Sequence, residues 1–146
     1  MTSEPSLALR SVIIVAVSPW STYNEYEGEV EIDLDGRRLH CRVVLPSGQW
    51  DTVHPGDRVT AALWLARSGD AALVDAADAA LRHVRGVDYE AIGRVEHVDD
   101  EWLRLDCGMM LDVDLELTGE LRQRLHVVAG AQLRVVGALQ LDLDPG

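Results

Sequence analysis

The sequence predicts a mainly β protein made of two related small β-units joined by a short α-helix, and three observations carry that expectation. Most of the chain alternates apolar and polar residues with a period of two, the mark of half-buried strands. Two stretches that each pass a glycine turn and enter a long apolar run resemble one another, HPGDRVTAALWL (His54 to Leu65) and VAGAQLRVVGAL (Val128 to Leu139). Between them lies one alanine-rich stretch with helical spacing. The expected division is a first β-unit over 1–74, a linking helix over 75–86 and a second β-unit over 87–146.

The first apolar run, Val12 to Val17, is far below the roughly 18–20 residues needed to span a bilayer. Glu4 stands where a signal peptide needs a basic region, and Arg10 interrupts the approach. A cytosolic protein with reduced thiols is expected, with no membrane partner. All basic residues are arginine, which reads first as the coding bias of a GC-rich bacterial genome.

The clearest strand is EYEGEVEIDLDG. Glu25, Glu27, Glu29, Glu31, Asp33 and Asp35 fall on one face, with Tyr26, Val30, Ile32 and Leu34 on the other. Asp35-Gly36 then supplies a tight hairpin turn, and RRLHCRVVL returns with Leu39, Cys41, Val43 and Leu45 on the apolar face. In EWLRLDC, Leu103, Leu105 and Cys107 share a face in the same way, so RLHC and RLDC read as matching ends of related strands. Each cysteine then behaves as a small hydrophobe. Tyr26 to Val30 is likewise matched with Tyr89 to Val95, making Gly28 the counterpart of Gly93.

DAADAALRHVRG carries the helix expectation. Asp75 or Asp78 provides a start signal, Asp78 and Arg82 an i,i+4 pair, and Gly86 a stop. Ala77, Ala80, Leu81 and Val84 would form its apolar stripe.

A strand carrying a glycine, a hairpin, and a Gly-Asp-Arg-Val entry into another strand resembles the small five-stranded oligonucleotide/oligosaccharide-binding (OB) barrels, including the S1-like ones. The residues concerned are Gly28-Glu29-Val30 and Gly56-Asp57-Arg58-Val59 in the first half, and Gly93-Arg94-Val95 and Gly130 to Val135 in the second. The resemblance is at superfamily level. It implies OB-like barrels, a class that commonly binds single-stranded nucleic acid through a cationic groove and stacking aromatics.

Charge argues against that ligand. The net charge is -12, with 9 acids against 6 arginines in residues 1–68 and 16 against 7 in residues 69–146. Such a field repels phosphate backbones and speeds encounter with basic partners. The cluster Arg37, Arg38 and Arg42 with Trp50 and Trp64 would serve a nucleic acid, yet the strand facing that cluster carries six carboxylates suited to cross-strand pairing.

Other site chemistries find little support. EIDLDG opens like a calcium loop, but its twelfth position is Arg42 where a bidentate glutamate belongs. No Cys-x-x-Cys or His-x-x-x-His spacing occurs, and His40 points away from Cys41 in the alternation, so no metal site is expected. LDVDLEL reads as a half-buried strand with Asp112, Asp114 and Glu116 outward. No nucleophile elbow, phosphate loop, dinucleotide fingerprint or zincin motif is present. The expectation is a non-enzyme without cofactor: an acidic interaction module binding a basic protein through Trp20, Tyr23, Glu25, Glu27, Glu29, Glu31 and Asp33. The alternative is an OB-like binder of single-stranded nucleic acid.

Overall fold

The computed structural model describes residues 9–20, 26–45, 50–75, 78–98, 102–114 and 127–143. Its regular structure is nine strands and one short 3-10 turn, Trp50–Thr52: β1 Leu9–Pro19, β2 Glu27–Leu34, β3 Arg37–Val44, β4 Arg58–Leu73, β5 Ala80–Arg85, β6 Asp88–Val98, β7 Trp102–Asp106, β8 Met110–Asp114 and β9 Gln132–Asp142. The mainly β expectation holds, with strand order β1-β2-β3-β9-β4-β8-β7-β6-β5 and additional pairings of β1 with β4 and β9 with β6. Among the described residues of the expected linking helix none is helical. Ala80–Arg85 is a strand paired antiparallel with β6, from Ala80 opposite Ile92 to Arg85 opposite Asp88. Alanine propensity is a weak force, and cross-strand pairing that buries Leu81 overrides it. Gly86 sits in the two-residue hairpin turn, and Arg82 pairs with Glu90 at 3.7 Å, a partner across the ladder.

The chain divides into two compact units, Ala8–Leu63 with Leu139–Gly146, and a second built on Trp64–Ala138. The boundaries fall inside β4 and β9, so these two long strands each supply residues to both.

In the first unit β2 is the central strand. Its antiparallel register with β3 runs from Glu27 opposite Val44 to Leu34 opposite Arg37, and β1 pairs on its other edge from Ile13 opposite Asp33 to Pro19 opposite Gly28. Asp35 and Gly36 both take positive φ, 52° and 87°, the conformation a two-residue hairpin turn demands and Asp-Gly tolerates. The Asp33 carboxylate accepts from the Gly36 amide at 2.8 Å and fixes that turn. The start of β1 pairs with β4, and β3 meets β9 in parallel at Arg42 opposite Gln140. Val30, Ile32, Leu39, Cys41 and Val43 point inward and are buried with Val12 and Ile14.

In the second unit β6 pairs with β5, β7 and β9, and β7 with β8. β8 meets β4 in parallel at Trp64 opposite Asp112 and Leu65 opposite Val113. The Val74 amide donates to the Gln132 carbonyl, joining the ends of β4 and β9. Leu65, Leu103, Leu105, Leu111, Val113 and Leu133 fill the interior.

The units share local geometry at one place. β1 has a bulge between Ile14 and Ala16, β6 one between Val95 and His97. The Gly56 amide donates to the Ile14 carbonyl and the Ile14 amide to Asp57; the Gly130 amide donates to Val95 and the Val95 amide to Ala131. The two glycines have φ of 95° and 92°.

The matching of Gly28 with Gly93, and of Cys41 with Cys107, is corrected. Gly28 lies in β2 opposite Pro19, whereas Gly93 lies in β6 opposite Leu133. Cys41 lies in β3 opposite Val30, while Cys107 follows the end of β7, its thiol donating to the Met109 carbonyl at 3.4 Å. Both cysteines are buried, and neither is in a disulfide among the described residues. No helix among the described residues is long and apolar enough to cross a membrane.

Candidate interaction surface

The outward face of β1–β2–β3 collects most of the residues singled out in the sequence. Strand alternation and register set it in three rows. Ala16, Glu31 and His40 form one row, Ser18, Glu29 and Arg42 the next, and both follow from direct pairing. The third begins with Trp20, whose amide donates to the Glu27 carbonyl at 3.1 Å, and ends at Val44 opposite Glu27. Trp20 therefore continues the β1 ladder, and its side chain is left 47% exposed.

The carboxylates of β2 and the cations of β3 pair across the ladder. Arg38 lies 3.9 Å from Glu31 and 3.5 Å from Asp33. Arg42 reaches Glu27 on one side and donates to the Gln140 side chain at 2.9 Å on the other, tying β2, β3 and β9 together. Glu29 faces the His40 ring at 3.4 Å, a partner that is charged only when protonated. These glutamates stay about a quarter exposed, so solvent screens the pairs and each is worth little to stability. Beneath them, burial pushes the Cys41 thiol pKa strongly up, with the Glu29 charge adding to the effect. That thiol is inert in the native state.

Tyr26 precedes β2 and is 46% exposed; its carbonyl accepts from the Leu45 amide. Trp50 packs on the other side of β2. A Cβ on Gly28 would stand 2.7 Å from the Trp50 ring, so the glycine is the floor on which the indole rests. Tyr23 and Glu25 lie outside the described residues.

The residues of the alternative reading come from both units. Arg37, Arg38, Arg42 and Trp50 belong to the first unit and Trp64 to the second. Arg38 and Arg42 already carry carboxylate partners. Trp64 packs edge-on against Trp102, with centroids 5.3 Å apart and planes at 77°.

One buried charge pair was missed. Asp112, expected outward in LDVDLEL, is only 5% exposed; Arg104 covers it, its Nε donating to the carboxylate at 2.8 Å. This charge-assisted bond holds the Arg104 pKa up. Arg134 is held up likewise by Glu90 at 2.7 Å and Asp70 at 3.2 Å. The signal in the sequence was weak, an aspartate in a strand opposite an arginine. Among the described residues no group of three or more His, Cys, Asp or Glu side chains is arranged to hold a metal ion.

The strand pairings define the class only broadly, a mainly β protein of antiparallel ladders with a few parallel contacts. No protein-family model and no curated protein matches the chain. Among solved structures, a crystal form of the cytoplasmic molybdate-binding protein ModG with molybdate bound is similar, at 18% identity and a TM-score of 0.39, covering 96% of this chain and 98% of that one. A likeness that distant carries no argument about ligand or mechanism.

Proposed function

We propose that the chain is a non-catalytic interaction module, built from two β-units of one design, that engages a basic protein partner through the outward face of β1–β2–β3. The observation that carries this reading is Trp20, half exposed at the end of a row of glutamates on a strongly acidic protein. An exposed indole offers a large anchoring area, and carboxylates beside it steer and orient a cationic partner. The equivalent bulges and glycine turns at Gly56 and Gly130 support the common design of the two units.

A tagged pull-down from native lysate across a salt series tests the proposal, with proteins identified by mass spectrometry and nucleic acid extracted in parallel. A basic protein released as salt rises, and lost from the Glu29→Lys/Glu31→Lys variant, is the expected result. Salt-insensitive capture would reject the mechanism. Nucleic acid retained without an intermediary protein would favour the alternative reading, in which Arg37 and its neighbours contact phosphate.

A further inference from the structure

The outward face of the first unit contains a seat for one side chain of that partner; this inference rests on the docking reading above and names the chemistry it uses. Along β1 the outward positions before Trp20 are Ala16 and Ser18, both small and exposed. Opposite them stand Glu31 and Glu29. Among the described residues only the small side chains of Ala16 and Ser18 stand on the β1 side of these glutamates, while the β3 side is filled by His40 and Arg42. At the end of this strip stands the Trp20 indole.

Glu29 and Trp20 are diagonal neighbours, because Ser18 faces Glu29 and Trp20 faces Glu27. Diagonal side chains across an antiparallel pair stand about 7–8 Å apart, within reach of a single long cation placed over Ser18. Of the row's carboxylates, Glu27 holds Arg42 and Glu31 shares Arg38, whereas Glu29 faces an imidazole. Glu29, opposite Arg42 in the register, is thus the one of the three whose contact is an imidazole.

We propose that this strip takes an arginine side chain from a basic protein partner. Its guanidinium forks onto the Glu29 carboxylate and stacks on the Trp20 face, with its aliphatic stem lying over Ser18. Arginine suits both contacts: it is planar, presents paired donors to a carboxylate, and stacks on indole, whereas an ammonium does neither in the plane. The occupant is argued from charge complementarity and from the small residues that leave room for it. A second copy of this chain is a poorer occupant, since two bodies of net charge -12 repel.

The test is an NMR titration of the full chain with a capped peptide of alternating arginine and glycine, and with its lysine and citrulline counterparts. The arginine peptide is expected to shift the Trp20 indole N–H, identified by its loss in Trp20→Phe. It should bind several-fold more tightly than the lysine peptide, with the citrulline peptide weakest. Trp20→Leu, which keeps an apolar surface but removes the π face, and Glu29→Gln should each weaken binding by roughly 3- to 30-fold. Ser18→Arg, on an exposed position, should fill the strip with a tethered guanidinium and abolish binding while both wild-type partners remain. Circular dichroism of each variant reports that the fold is intact. Absence of arginine-peptide binding overturns the seat. Salt-sensitive arginine binding left unchanged by Trp20→Leu and Ser18→Arg also overturns it, and leaves the wider docking reading to stand on the lysate experiment.

Discussion

In the second unit two tryptophans pack edge-on and an arginine covers a carboxylate; in the first unit a tryptophan and a glutamate stay partly open to solvent. Trp102 stacks edge-on with Trp64, and Arg104 covers an Asp112 that is almost wholly buried. On the first unit Trp20 is half exposed, and Glu29 faces an imidazole where Asp112 holds a guanidinium. A buried carboxylate covered by a guanidinium is a structural device. An exposed aromatic beside a carboxylate whose contact is an imidazole is a recognition device. On the docking proposal, the contrast puts recognition on β1–β2–β3 and leaves the Arg104–Asp112 pair of β7 and β8 to stability.

The largest expected effect comes from the tightest backbone approach. A Cβ on Gly93 would overlap the Asp106 carbonyl oxygen and press on Cys107, all main chain that cannot swing aside. Gly93→Ala should cost about 3 kcal/mol or more in urea unfolding, at the upper end for overpacking. Asp112→Ala follows at about 1–3 kcal/mol, the desolvation left when a buried partner is removed. The figure is held down because Arg104 is 39% exposed and can return to water. Gly28→Ala should cost about 1–2 kcal/mol. There the obstacles are the movable edge of Trp50 and the Ser18 carbonyl at 2.9 Å. Trp20→Ala should change stability by less than about 0.5 kcal/mol, as surface substitutions do, while weakening partner capture. A stability loss as large as that of Asp112→Ala would break the comparison, since Trp20 would then be a packing residue.

Alkaline pH sharpens the account of the interior. Burial raises the Cys41 pKa in the folded state, so the unfolded chain ionises first as pH rises. The thiol's contribution is fully present below the ordinary thiol pKa and is lost as pH climbs beyond it. Unfolding midpoints should fall in that window for the wild type and less for Cys41→Ala. Thiol-specific reagents should modify Cys41 only at the rate of unfolding.

The β2–β3 hairpin was legible because every signal in it is local: alternation, Asp35-Gly36, and a return strand with its apolar residues in phase. The segment around Ala80 was not. Its alanines, its Asp78 to Arg82 spacing and Gly86 all agree with a helix, and only the long ladder with β6 decides otherwise. Asp112 was hidden for a related reason. The far edge of its strand pairs with β4, where Trp64 stands opposite Asp112 from a distant part of the sequence. The cysteine correspondence failed because spacing from a glycine does not register strands; the bulges and hydrogen bonds around Gly56 and Gly130 do. On the candidate surface, the acidic face and Trp20 were readable from alternation. Which glutamate has an imidazole as its contact was not, because that depends on the pairing of Arg38, His40 and Arg42 across the ladder.

The measurement that tests the central claim most directly is a map of amide shifts in the full chain on titration with the arginine–glycine peptide at low salt. Recognition by the first unit predicts the largest shifts at residues 16–20 and 27–31 and at the Trp20 indole, fading as salt rises. Shifts centred on Trp64, Trp102 and Asp112, with β1 and β2 silent, would contradict it.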